Sequence, residues 1–267
     1  MASSIPCMDS VRRAPAAAES DLLDLVHRRI IALRIPGFVA GDEAARLAGL
    51  VRASPNRTVY AAEPAVGKLG ASFYDSNGRR RAREEYHRRA RENTELLRQV
   101  CAGPRHPLDP LMECLRTETA AGVCVERVDG RPMSVGICRI FAEGSRLLPH
   151  QDILADDAPY AGSPKTLLGQ ISANVYLQVA DEGGEVVVWS GDFTPEQRDA
   201  WRLPYRMDFD ERLLPPPSAV LRPAAGELIA FETSHIHAVR AVRRGERITF
   251  ATFIGYRGPG QPWTVWS

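Results

Sequence analysis

Residues 149–152 read Pro-His-Gln-Asp, so the imidazole of His150 and the carboxylate of Asp152 stand two positions apart at the end of a strand-like run. In extended chain that spacing turns both side chains to one face. A second imidazole lies far downstream in SHIHAVRAVRRGERITFATF, where His237 is followed ten positions later by Arg247. Two imidazoles and one carboxylate suit Fe(II), and three protein ligands leave positions open for a co-substrate and O₂. A guanidinium nearby can hold a dicarboxylate through paired hydrogen bonds. Fe(II) with 2-oxoglutarate is the pair this implies. His235 shares the face and the spacing of His237; the distance to Arg247 favours His237, and a site using both would be a cupin-like H-x-H arrangement.

Such a site needs elements to carry it. After Pro132 the runs SVGICRIF, LGQISANVYLQV, GEVVVWS, AVLRPAAGELIAFE and RITFATFIGY are β-branched or alternating and bounded by Gly, Pro or Asp, which predicts short strands at near-regular spacing. No helical periodicity separates them, so a sandwich or barrel is expected, a jelly roll among them. DFTPEQRDAWRLPYRMDFDERLLPPP, about 191–217, is too long and polar for a hairpin turn and is expected to lie over one mouth of the barrel. The first half is α-rich: LLDLVHRR and DEAARLAGLVRAS predict helices flanking a short strand in IIALRI, a loop runs through Gly70, and 79–100 and 107–119 predict further helices. The expected fold is α+β, a β core at 133–267 with a mainly helical portion, 19–132, packed on it as one domain. Residues 1–18 are rich in Ala, Ser, Pro and Arg and are expected to be a poorly ordered leader.

The spacing around the second imidazole carries more. The sequence resembles the Fe(II)/2-oxoglutarate-dependent oxygenases, whose pattern is H-x-D followed by H-x-V-x-x-V-x-x-G-x-R. Here His237, Val239, Val242, Gly245 and Arg247 fill it. The resemblance covers roughly the second half of the chain and implies a double-stranded β-helix, the jelly roll of this family. It implies that His150, Asp152 and His237 bind iron and that Arg247 pairs with the distal carboxylate of 2-oxoglutarate. Thr249, two residues on and on the same strand face, is placed to add a hydroxyl contact.

QISANVYLQ, GGEVVVWS, HAV and the closing FIGYRGPGQPWTVWS are similar to one branch, the bacterial enzymes that hydroxylate or halogenate free amino acids. Halogenating members have a small residue where the carboxylate stands, which vacates a halide site, whereas this chain keeps Asp152. The resemblance therefore implies a dioxygenase of specialised metabolism that hydroxylates, or alternatively desaturates or cyclises, a small amino acid. Lysine-acting members have an acidic group just past the metal-binding turn; Ile153 stands there, which points to an aliphatic or modified aliphatic substrate. The alternatives are a cupin-like metal dioxygenase or isomerase and a non-catalytic jelly-roll binding module.

Other residues admit two readings each. Gln170, Ser172, Asn174 and Tyr176 alternate with Ile171, Ala173, Val175 and Leu177, so one strand face is polar, either solvated or lining a cavity where Asn174 and Tyr176 meet 2-oxoglutarate or substrate. Arg139 either pairs with a surface acid or holds a substrate carboxylate, and Tyr74 and Asp75 are candidate substrate contacts. Seven arginines fall within 79–91, yet glutamates at helical spacing and a single interleaved aromatic, Tyr86, favour a solvated helix over a nucleic-acid surface.

Composition excludes broad classes. Of 267 residues 44% are hydrophobic and 25% charged, globular values, and 34 basic against 33 acidic side chains give no global field for nucleic acid or anionic membrane. Five cysteines without a C-x-x-C pair make neither a disulfide framework nor a zinc site. The N-terminus has no apolar h-region. A cytoplasmic protein acting on a small molecule is expected, without nucleic-acid or membrane partners and compatible with a homodimer. No G-x-S-x-G, P-loop or G-x-G-x-x-G motif is present.

Overall fold

In the computed structural model, which describes residues 11–61, 63–76, 79–101, 106–204 and 207–267, the eight core strands of the second half are divided between two antiparallel sheets. One sheet orders Leu228–Glu232, Gly169–Gln178, Arg247–Tyr256 and Ile137–Phe141; the other orders Ala219–Leu221, Val186–Trp189, Ile236–Val239 and Leu147–His150. This is the jelly roll that the strand spacing predicts. Closing the roll puts one face of each sheet inward, and period-two alternation decides which side chains go there.

The strand Gly169–Gln178 shows the division. Ile171, Ala173, Val175 and Leu177 enter the main apolar core together with Ala44, Leu47, Ala48 and Val51 of the helix Gly41–Ala53. The helix therefore covers the outer face of the sheet, and Gln170, Ser172, Asn174 and Tyr176, all buried, face inward. The solvated alternative for this face is thereby excluded.

The N-terminal portion does more than pack on the core. Ala32–Ile35 extends the larger sheet beyond Leu228–Glu232, and Val66–Leu69 extends the other edge beyond Ile137–Phe141. The expected loop through Gly70 thus contains a sheet strand, in which Val66 and Leu69 are buried; only four residues long, it leaves too little alternation to be seen. The expected leader also changes. Val11–Arg13 pairs parallel with Ala32–Ile35, and Arg12 is held by ion pairs to Asp21 at 2.7 Å and Asp24 at 2.8 Å; residues 1–10 lie outside the described residues. Segment 79–100 is two helices, Arg80–Arg88 and Ala90–Cys101, parted at Arg89. Buried Tyr86, Ala90, Leu97 and Cys101 keep one helical stripe across the break, so periodicity alone does not reveal it.

The predicted insertion holds a seven-residue helix, Pro195–Trp201, and returns over the mouth of the roll, where Met207 and Asp208 line the cavity. Among the described residues no helix is long and apolar enough to cross a membrane.

Candidate metal centre

His150 ends the strand Leu147–His150, and His237 is its direct register partner on the adjacent antiparallel strand. The rings lie 4.3 Å apart between centroids. Asp152 follows on the turn leaving the strand, with Oδ2 at 3.3 Å from His237 Nε2 and 3.8 Å from His150 Nε2. The three donor atoms lie within 4.8 Å of one another, and among the described residues this is the cluster able to hold a metal ion. His150 and Asp152 keep 20% and 25% side-chain exposure against 6% for His237, so the cluster opens to one side.

Proton bookkeeping shows what it fits. His150 Nδ1 donates to the Leu148 carbonyl at 2.7 Å, and His237 Nδ1 donates to the His235 carbonyl at 3.0 Å. A carbonyl only accepts, so in each neutral ring the proton sits on Nδ1 and Nε2 is bare. Burial, and then the neighbouring His237, hold the His150 imidazolium below its ordinary pKa. Burial alone would raise the Asp152 carboxyl, yet His150 and His237 together hold it below the usual carboxylate range. Two ring nitrogens and a carboxylate thus converge on one point, an arrangement that a cation completes.

The turn carrying Asp152 is pinned from behind. The Thr233 hydroxyl and the Gln170 amide both donate to the Asp152 carbonyl, at 2.8 and 3.1 Å, and the Asp152 N–H donates to the Thr233 carbonyl at 3.2 Å. Gln170 also accepts from the Leu154 N–H at 3.0 Å, fixing both ends of the turn. The Phe231 ring lies against His237, 4.9 Å between centroids.

The cassette after His237 has a physical reading. Val239 and Val242 are buried with Phe141. Gly245, at φ +85°, makes the turn in a left-handed conformation that a side chain rarely adopts. The chain then enters the strand Arg247–Tyr256 with Arg247 inward, its guanidinium between the rings of Phe141 and Tyr176 at 4.7 and 5.0 Å. Arg247 donates from one terminal nitrogen to the Tyr176 hydroxyl at 3.2 Å. Its Nε and the Thr249 hydroxyl are buried without partners, and Thr249 is opposite both Tyr176 and Arg139 in the sheet. Orphaned buried donors are costly unless a ligand satisfies them, and a carboxylate does so.

His150, Asp152, His237 and Arg247 lie on one cavity with Arg139, Ser172, Asn174, Tyr74 and Trp266. Arg139 donates from Nε to the Tyr60 hydroxyl at 3.0 Å and from a terminal nitrogen to the Asn174 side-chain Oδ1 at 3.5 Å. Asp75 is elsewhere: it pairs with Lys68 and accepts from the Ala61 N–H, outside this cavity. Ile153 precedes the one-turn helix Leu154–Asp157 and is not part of the wall. His235 is buried with both ring nitrogens unpartnered and outside the ligand cluster, so the H-x-H arrangement has no support. Sequence reasoning missed Tyr60, Phe141, Gln170 as turn clamp, Phe231, Thr233 and Asp157; of these, Gln170 alone carried a signal, its place on the polar strand face.

Residues 135–255 match the model of the 2OG-Fe(II) oxygenase superfamily. An L-gamma-glutamyl-L-propargylglycine hydroxylase from Streptantibioticus cattleyicolor is 26% identical over 164 residues, 60% of this chain and 59% of that protein, so this chain spans about three-fifths of that relative's length. An N-substituted L-amino acid dioxygenase from Burkholderia ambifaria shares the fold, with a TM-score of 0.63 and 14% identity over 93% of this chain and 91% of that one. The same enzyme in complex with α-ketoglutarate gives 0.59 at 14% identity, covering 93% and 90%.

Proposed function

From the match of residues 135–255 to the 2OG-Fe(II) oxygenase superfamily model, we propose that this chain is an Fe(II)- and 2-oxoglutarate-dependent dioxygenase oxidising an unactivated C–H bond of a free, aliphatic or modified aliphatic α-amino acid. The observation that carries this reading is the convergence of bare His150 and His237 Nε2 atoms on Asp152, in a cavity that also presents Arg247. The two relatives are named for a glutamyl dipeptide and for N-substituted amino acids, which supports an amino-acid-like substrate.

His150, Asp152 and His237 hold Fe(II). When bound, the iron supplies, with 2-oxoglutarate and O₂, a two-electron oxidation of the substrate in which 2-oxoglutarate leaves as succinate and CO₂. Arg247 takes the distal carboxylate of 2-oxoglutarate, oriented by the Tyr176 hydroxyl, and Thr249 adds a donor. Arg139 takes the substrate carboxylate: it faces the cavity, and among the described residues no acid forms an ion pair with it. Phe73, Leu154, Phe253 and Trp266 on the wall exclude water from the reacting centre. Hydroxylation is the default outcome because Asp152 occupies the position that a halide would need; desaturation or ring closure would use the same residues.

The test is a panel of amino acids incubated with enzyme, Fe(II), 2-oxoglutarate and O₂, following succinate and product mass. The expected result is succinate release stimulated by an aliphatic amino acid, with a product heavier by one oxygen. No amino acid raising succinate above the substrate-free level would overturn the reading. A chlorinated product in chloride buffer would overturn the role given to Asp152.

A further inference from the structure

The cavity holds two guanidiniums, and each donates to the hydroxyl of a buried tyrosine. Arg247 donates to Tyr176 at 3.2 Å, and Arg139 donates from Nε to Tyr60 at 3.0 Å. Thr249 is opposite both Tyr176 and Arg139 in the sheet, so the two pairs stand on either side of one strand. A phenol carries one proton and accepts at its lone pairs. Because the Tyr60 oxygen accepts from Arg139, its own hydrogen stays free to be donated, and among the described residues nothing accepts it. One terminal nitrogen of Arg139 reaches Asn174, and the other has no partner among the described residues. Tyr60 and Arg139 both line the cavity.

The tyrosine is held in place from behind. Its ring is buried with Val66 and Phe141, and its N–H donates to the Val66 carbonyl at 3.1 Å. The Lys68 ammonium, paired with Asp75, lies 5.0 Å from the ring centroid, and a cation on a ring face is attracted to it. Lys68 is also opposite Arg139 in the sheet, so one strand pairing fixes both members of the Tyr60–Arg139 pair.

We infer that Tyr60 is a substrate-binding residue whose hydroxyl, together with Arg139, receives a free carboxylate, so that the enzyme selects an amino acid with an unblocked carboxylate over the corresponding amide. This rests on the amino-acid reading given above. A carboxylate supplies what the pair lacks: an acceptor for the phenol hydrogen, and a counter-charge for a guanidinium that forms no ion pair among the described residues. A carboxamide brings no charge and turns an –NH₂ donor toward one of these donors, which leaves that donor unmatched.

The experiment compares wild type, Tyr60→Phe and, as a control outside the cavity, Tyr160→Phe, whose ring is exposed. Norleucine, norvaline and leucine, each beside its carboxamide, are supplied with Fe(II), 2-oxoglutarate and O₂, and succinate is measured against substrate concentration. Wild type is expected to use the acids with a kcat/KM about 100-fold or more above the amides. Tyr60→Phe keeps the ring and removes the donor, so the KM for the acids rises about tenfold or more. Anaerobic calorimetric titration of the enzyme loaded with Fe(II) and 2-oxoglutarate gives the same change in Kd. The KM for 2-oxoglutarate and the kcat stay within about twofold of wild type. The amides lose less than the acids, which narrows the preference between them, and Tyr160→Phe behaves as wild type. Equal use of acid and amide by wild type overturns the inference without any variant. So does an unaltered acid KM in Tyr60→Phe, a loss shared equally by acid and amide, which assigns Tyr60 to packing, or a raised KM for 2-oxoglutarate, which assigns the pair to the co-substrate. Each of these leaves the amino-acid reading standing, whereas a wild type that none of the amino acids stimulates overturns that reading as well.

Discussion

His150 and His237 are exact neighbours across two antiparallel strands, paired in register with their rings 4.3 Å apart, although 87 positions separate them in the chain. Cross-strand partners on one face have Cβ atoms about 5 Å apart, a spacing at which two Nε2 atoms can share an ion. The sheet register thus sets the two imidazoles, and the turn after the first strand adds Asp152.

Removing Asp152 is expected to abolish Fe(II) binding in an anaerobic titration, and His237→Ala to do the same, while His235→Ala retains it because His235 lies outside the cluster. Equal losses in His235→Ala and His237→Ala would restore the H-x-H reading.

Gln170 touches no donor atom of the cluster, yet it holds both ends of the ligand turn. Gln170→Ala is expected to weaken Fe(II) binding by roughly 10- to 100-fold, the usual cost of losing a partner that orients a ligand. Unaltered affinity in the same titration would show that Thr233 alone positions Asp152.

Arg247 sits buried between two rings with its Nε unpartnered. Arg247→Ala leaves a ligand carboxylate buried and unpaired, which costs about 2–5 kcal/mol, so the KM for 2-oxoglutarate should rise by two orders of magnitude or so. Succinate formation at varied 2-oxoglutarate checks this, and an unaltered requirement would assign the carboxylate to another residue.

Stability should fall in acid through His106, which is buried against Phe250 with Nδ1 accepting from the Leu108 N–H at 3.2 Å and Nε2 unpartnered. Burial lowers its pKa to about 4 from 6.5. A folded-state pKa below the unfolded one means that the contribution is complete above pH 6.5 and is lost as pH falls through 4. Protonation would place a hydrogen on the nitrogen that accepts from Leu108. Urea midpoints between pH 7 and pH 4 should fall less in His106→Gln than in wild type, by an amount worth about 3 kcal/mol at the lower end. Parallel slopes in the two proteins would remove His106 as the cause.

The arginine run is expected to give no tight, salt-sensitive binding to an oligonucleotide. Arg80, Arg88 and Arg89 are engaged with Glu84, Glu85 and Glu92 at helical spacing. A steep fall of affinity with salt, abolished by replacing Arg79, Arg80 and Arg81, would overturn this.

The sequence by itself determined the β core and the identity of its inward groups, because both are local in origin. Period-two alternation in 170–177 separates core from cavity, and the spacing from His237 through Gly245 to Arg247 encodes a strand, a left-handed turn and a second strand. The candidate ligand types were legible for the same reason, since H-x-D sets two donors two positions apart, although Asp152 falls on the turn after the strand and not on its face as expected. Tertiary structure alone decided which distant partners meet. The spacing to Arg247 already favours His237 over His235, but that His237 lies in register with His150 is set by the sheet. The strands Val11–Arg13 and Val66–Leu69 exist because a sheet edge supplies their hydrogen bonds, and they are too short to announce themselves. Asp157 came to the cavity because a single helical turn, clamped by Gln170 from another strand, rotates it inward past Ile153, and a rotation set by a long-range hydrogen bond leaves no trace in the spacing of residues.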